Sequence, residues 1–435
     1  MFEIIKKNIG GGSLRAKFIR SSAWLSAGNI FEKILAFASK IILARLLIPG
    51  DLGVVVLITS IASLFECMTE VGVKQCIIQN KNGDSPEFLN AAWWFSVLRG
   101  SVLFSIAWML TPWICDFYFQ DKGEILSSYN IQTLHQMVRL AFFNLLFNGL
   151  VSPRTYVLER QFQFSRVVGY MQSSALVGIL VTIILSFVLR NAWAMVIGSV
   201  CQGFFRVLMS YAFCPFLPRM SCHRQSLAQL ARYGWGTWGA PFFAYVAFNI
   251  DIMVGAKVLG PELIGLYGFV VGLAYIPREL FARIINPVIL PTFVRRQDEL
   301  VKLRVMIRKM ICGIVLISMP LIICSFFFHR QIVVTIYGVS FESVSIVFAI
   351  FTINVFFIIL SMIFINLFMA IGTPHTYRNH TFIRAIILSL FIVPIAQNFG
   401  VIGMAILQVF SNITLVLSLW YVAYKSTAYN SLIHR

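Results

Sequence analysis

Long, unbroken apolar runs constrain this chain more than any other feature of its sequence. Val177-Gly178-Ile179-Leu180-Val181-Thr182-Ile183-Ile184-Leu185 is one example. Such a run has neither the alternation of a half-exposed strand nor the polar face of a surface helix. About twenty apolar residues in helical form span a bilayer. Twelve stretches of that kind lie near 23–47, 52–73, 89–115, 131–151, 167–189, 192–215, 235–258, 263–290, 309–328, 344–370, 382–397 and 401–423. Hydrocarbon offers the backbone no water, so only helices and closed barrels cross it, and barrel strands need short alternating segments. The expected fold is therefore an all-α polytopic membrane protein with about 12 transmembrane helices. Only 12% of residues are charged, against roughly 25% in soluble domains.

A short phrase occurs twice, each time closing an apolar run. Ala44-Arg45-Leu46-Leu47-Ile48-Pro49 with Gly53 returns as Ala256-Lys257-Val258-Leu259-Gly260-Pro261 with Gly265, 212 residues later. The offset is close to half of 435 residues, which predicts two related halves. Repeated halves in an apolar chain suit a transporter that rocks one half against the other around a central cavity.

Basic residues set the orientation. With the N-terminus inside, outer segments hold Arg45, Lys122, Arg190, Lys257 and Arg330, and inner segments hold the far larger set that includes Lys74, Arg154, Arg219, Arg304, Arg308 and Arg384. Both termini are thus expected in the cytoplasm, with six spans per half and parallel repeats. The expected organisation is a basic amphipathic cytoplasmic segment over 1–22, a six-helix lobe over 23–216, a basic cytoplasmic linker over 217–234, a second six-helix lobe over 235–425 and a tail over 426–435. Without a small-residue cleavage site after a short apolar core, the first span is expected to be retained. The net charge of +18 follows from this topology and from attraction to anionic membrane lipids. Nucleic acid is not an expected partner, because no soluble domain is present to bind it.

Catalytic and cofactor motifs are lacking. Eight cysteines are scattered without metal spacing, mostly in spans or inner loops, and read as reduced core residues. The six histidines form no metal-ligand pattern. Gly234-Trp235-Gly236-Thr237-Trp238-Gly239 matches a dinucleotide-binding glycine pattern in letters only, since it should open a membrane span rather than follow a strand. No cofactor and no metal is expected. The outer loop around Asp116 to Asn130 is too short for a catalytic domain.

Ionisable side chains inside spans are costly and point to sites. The expected intramembrane cations are Lys33, Lys40, Arg99, Arg139, Arg206, Arg278 and Arg283, and the anions are Glu32, Glu66, Glu70, Asp251 and Glu279. One reading pairs or snorkels them. The other places Arg99, Arg206, Arg139 and Lys40 around a cavity that holds a phosphate-bearing substrate, a task suited to the guanidinium fork. The repeat offset pairs Asp251 with Ser39, beside Lys40, so the two charges could reach similar depth. Asp251 is accordingly either a structural ion-pair partner or the carboxylate of a coupling proton or sodium ion.

The residues also resemble a known family. Leu43-Ala44-Arg45-Leu46-Leu47-Ile48-Pro49 with Gly53, Gly72, Ile77-Ile78-Gln79, Ala92-Trp93-Trp94 with Arg99-Gly100, Phe117-Tyr118, Leu158-Glu159-Arg160 with Phe164, Trp193-Ala194, Asn249-Ile250-Asp251, Leu259-Gly260, Gly265-Leu266-Tyr267 and Pro277 together resemble the bacterial polysaccharide flippases of the multidrug/oligosaccharidyl-lipid/polysaccharide export superfamily. Arg99 and Asp251 match recurrent positions in that family.

The resemblance implies a multi-pass protein of the bacterial cytoplasmic (inner) membrane. It would flip undecaprenyl-diphosphate-linked oligosaccharide units to the outer leaflet for O-antigen or exopolysaccharide assembly. With no ATP site in the sequence, transport is expected to be coupled to H+ or Na+, and a polysaccharide polymerase and chain-length regulator are expected partners. The resemblance implies no enzyme activity. The rival readings are an integral-membrane polysaccharide polymerase or ligase and a multidrug exporter of the same superfamily.

Overall fold

The computed structural model describes residues 14–68, 72–80, 82–119, 129–161, 163–219, 224–237, 240–285, 289–290, 292–293, 300–371 and 373–433. Most of the segment 1–22, Glu70, Lys122, Trp238, Gly239 and the end of the tail lie outside the described residues, as do the side chains of Arg283 and His375. Among the described residues there is no strand.

The first helices are α1 (Leu14–Leu46), α2 (Pro49–Met68), α3 (Val73–Gln79), α4 (Pro86–Phe119), α5 (Ile131–Leu150), α6 (Arg154–Arg160), α7 (Phe164–Leu189) and α8 (Trp193–Phe213). They are followed by α9 (Arg224–Thr237), α10 (Ala240–Val258), α11 (Pro261–Ala274), α12 (Ile276–Ile284), α13 (Leu300–Tyr337), a 3-10 turn (Val339–Val344), α14 (Ser345–Ala370) and α15 (Pro374–Ile433).

Among the described residues, each of the twelve apolar runs lies largely on helices. The last two share α15, which breaks at Gly400 with φ 59° and ψ −149°, a conformation side-chain-bearing residues avoid. The eighth run is broken as well: α11 and α12 meet at 45° next to Tyr275, where Pro277 in the first turn of α12 ends the continuity. Among the described residues, eight helices are long and apolar enough to cross a membrane, or nine with this bent pair as one span. The more polar α1 and α5 are not among the eight.

The chain divides into two units. One comprises residues 1–48 and 58–242, the other 49–57 and 243–435. In the first unit α7 packs on α1 and α8, and α5 packs on α4 and α8. The α4–α5 crossing depends on two glycines. A side-chain carbon on Gly100 would lie 3.3 Å from the Gly149 Cα and 2.9 Å from the Leu145 carbonyl oxygen, so the two backbones touch where nothing larger fits. Helix α9 occupies most of the stretch expected as a linker. It packs on α4 and α3, with Leu230 buried among Cys76, Phe88 and Ala91.

Helix α14 is the centre of the second unit and packs on α11, α12, α13 and α15. It carries no charged residue and is apolar all round, as a helix surrounded by protein should be. The span containing it is 56% buried, whereas that of α13 is only 6% buried and presents its apolar side chains outward. The two copies of the repeated phrase meet in this unit. A side-chain carbon on Gly53 would collide with the carbonyl of Pro261, and one on Gly265 would lie 2.7 Å from both the Gly53 Cα and the Pro49 carbonyl oxygen. The repeat is thus a contact in which each copy supplies the glycine the other requires.

Candidate functional site

In the first unit, Arg206 reaches one turn of α5, and Arg99 adjoins the stretch of α4 backbone that packs against the same turn. Arg99 precedes Gly100, the residue that touches Gly149. Arg206, on α8, donates from Nη1 to Asn148 Oδ1 at 3.3 Å. Asn148 in turn donates from Nδ2 to Glu66 Oε1 at 2.9 Å. The amide therefore bridges a cation and an anion, holding Arg206 in place without engaging its whole guanidinium fork. Both arginines are half-buried.

Arg139 lies apart from them. It sits nine residues before Asn148 on α5, about 13.5 Å along the helix, and its guanidinium stacks on the Trp108 ring at 4.9 Å. Lys40 is exposed on α1. Of the four expected cavity cations, Arg206 and Arg99 adjoin the Asn148–Gly149 turn, while Arg139 stacks on Trp108 and Lys40 is exposed.

The second unit buries a polar cluster that sequence reading caught only in part. Asp251 is 1% exposed. It accepts the Tyr267 hydroxyl on Oδ2 at 2.5 Å and the Ile252 backbone N–H on Oδ1 at 3.0 Å. The buried cation whose charge acts on it from within the same unit is Arg384. The sequence count had assigned Arg384 to an inner loop. Instead it lies ten residues into α15 and is 4% exposed, because that helix starts at Pro374, well before the apolar run.

Arg384 is held by three acceptors. Its Nε donates to Ser411 Oγ at 3.2 Å, and its Nη2 donates to Gln408 Oε1 at 3.0 Å and to the Ala247 carbonyl at 3.3 Å. Phe248, one turn before Asp251, has the Arg384 guanidinium 5.2 Å from its ring and that of Arg278 at 4.7 Å. The Arg278 guanidinium also faces the Tyr275 ring at 5.3 Å, so one carboxylate, two guanidinium groups and two tyrosines lie close together. Protonation of Asp251, or arrival of a small cation beside it, would change the charge balance of the whole cluster.

The glycine pattern at 234–239 was expected to open a span. Gly234–Thr237 instead end α9, and α10 starts at Ala240. It has no nucleotide-binding context. Gln408 and Ser411, missed in the sequence, lie three residues apart on one face of the 401–423 run. A polar pair at helical spacing in an otherwise apolar segment was the signal available.

The helical architecture is that of the multidrug/oligosaccharidyl-lipid/polysaccharide exporter class. An inward-closed structure of the lipid II flippase MurJ aligns with a TM-score of 0.76 at 14% identity, covering 94% of this chain and 90% of that one. An inward-facing multidrug resistance MATE family transporter of the MOP superfamily aligns at 0.69 with 15% identity, covering 91% and 94%. Within that fold, the chain belongs to the family described as polysaccharide biosynthesis protein, whose model matches residues 42–346. Its relatives include an uncharacterized membrane protein in the cps region of Klebsiella pneumoniae, 24% identical over 75% of this chain. The lipopolysaccharide biosynthesis protein WzxC of Escherichia coli K12 is 23% identical over 76% of it. The matched stretch spans 65% of the length of each relative.

Proposed function

We propose that the protein is a flippase that moves a lipid-linked oligosaccharide bearing phosphate across the cytoplasmic membrane by ion-coupled alternating access. The carrying observation is Arg206 hydrogen-bonded at the Asn148–Gly149 turn with Arg99 on the α4 turn that packs there, two positive charges carried by one cluster of membrane helices. Such a pair suits a diphosphate, since guanidinium binds phosphate oxygens in pairs and does not deprotonate. It is ill suited to cationic drugs, which favours this reading over multidrug export.

The fold shared with a lipid II flippase and the membership of a polysaccharide biosynthesis family support the assignment. Undecaprenyl diphosphate is the carrier lipid we infer. A polymerase and a chain-length regulator would act on the delivered units. The proposed topology has both termini cytoplasmic and lobes at 23–216 and 235–425. Arg139 and Lys40 line the route outside the phosphate-binding pair. Asp251, in its cluster with Tyr267 and Arg384, is the proposed point of coupling to a proton or sodium ion.

In a deletion strain, lipid-linked repeat units should accumulate on the cytoplasmic leaflet, out of reach of a periplasmic glycan probe. Complete units exposed on the outer leaflet, with only polymerisation halted, would identify a polymerase instead.

A further inference from the structure

The second unit carries a groove whose lining shares no residue with the Asp251 cluster. Its floor is apolar, formed by Ile311, Phe364 and Leu367 from α13 and α14, and its volume is about 300 Å³. One rim carries Arg304 and Arg308, four residues apart on α13 and so on the same face. The opposite wall carries Trp420 and Tyr424 of α15, whose rings stack at 6.0 Å.

Charge complementarity defines the occupant. Lys302 and Lys309 flank the two arginines, and all four side chains are exposed. Helix α14 has no charged residue, and α15 beyond Gly400 has only Lys425. The described surface at this end of the three helices is therefore purely cationic. Below it, the outward face of α13 is apolar for several turns, with Leu316, Ile317, Ile323 and Phe327 all exposed. Aromatic side chains at the boundary between cationic and apolar zones mark the level of the lipid headgroups.

We infer that this groove is a binding site for one acidic membrane phospholipid, its phosphate held between Arg304 and Arg308 and an acyl chain lying on Ile311, Phe364 and Leu367. Basic pockets between membrane helices bind anionic headgroups in this way. The inference rests on the membrane location of the chain and not on what it transports.

Native mass spectrometry of the full chain, titrated with phosphatidylglycerol or phosphatidylcholine, tests it. The wild type should bind phosphatidylglycerol at least about tenfold more tightly than phosphatidylcholine, and Arg304→Gln with Arg308→Gln should weaken that binding about thirtyfold. Cys312→Trp, which fills the groove from its exposed edge, should displace the lipid while leaving both charges. Arg330→Gln, at the other end of α13, should bind like the wild type. Equal binding of the two phospholipids, or full binding by the double variant, would overturn the assignment. So would displacement of phosphatidylglycerol by an equimolar polyprenyl diphosphate, which would give the groove to the transported lipid.

Discussion

Tyr267→Phe is the smallest perturbation of the buried cluster in the second unit, since it removes one oxygen and leaves the ring packed edge-on against Phe351 at 5.7 Å. The lost bond is short, 2.5 Å, and it ends on a carboxylate only 1% exposed while Tyr267 itself is fully buried. A hydrogen bond to a charged group contributes about 1.5–3 kcal/mol, and both groups are closed off from bulk solvent. Tyr267→Phe should therefore destabilise the protein by about 1.5–3 kcal/mol, read as the shift of a reversible unfolding transition in detergent or bicelles. In an Asp251→Asn background the acceptor is neutral, and the same change should cost about 1 kcal/mol or less. The difference between the two costs measures the coupling of the pair. A cost below about 0.5 kcal/mol in the wild type, or equal costs in both backgrounds, would show that Asp251 does not rely on Tyr267 as an ionised acceptor.

Three further outcomes follow. Gly53→Ala and Gly265→Ala should each destabilise by about 1–3 kcal/mol through overpacking, whereas Gly50→Ala, with open space around it, should be close to neutral; thermal melting of the three variants checks this, and equal melting points would refute the close contact. Arg99→Ala and Arg206→Ala should abolish translocation at normal protein levels, while Arg206→Lys should restore only part of it because a point charge lacks the paired geometry; a vesicle assay with a labelled lipid-linked sugar decides. Asp251→Asn should retain binding of that lipid but lose the dependence of transport on an imposed proton or sodium gradient, and a variant whose transport still follows the gradient would remove Asp251 from the coupling role.

The helical fold was legible because hydrocarbon tolerates so few alternatives. Continuous apolar runs mark helices directly, and the bend near Pro277 was visible as a proline inside a run. The sites were less legible, because burial of a charge depends on where its helix begins and what surrounds it. Arg384 sits at the third residue of an apolar run and reads as interfacial. Eight helical residues that precede the run carry it inward, and its three acceptors come from α10 and α15. Arg139 reads as an intramembrane cation like Arg99, yet its partner is the face of Trp108, an interaction no spacing rule reports. The repeated phrase announced a relationship between halves, but not that the two copies touch.

That contact has a consequence for how the molecule is made. The second unit is not contiguous in the chain: it needs Pro49–Leu57, which leave the ribosome long before the rest of it. At about 5–20 residues per second, the 212 residues between Gly53 and Gly265 take roughly 10–40 s to synthesise. Throughout that interval the Gly53 surface has no Pro261 to meet, and a fragment beginning at residue 243 would carry the Gly265 surface with the same vacancy. The order of synthesis leaves the earliest-made piece of the second unit waiting longest for its partner.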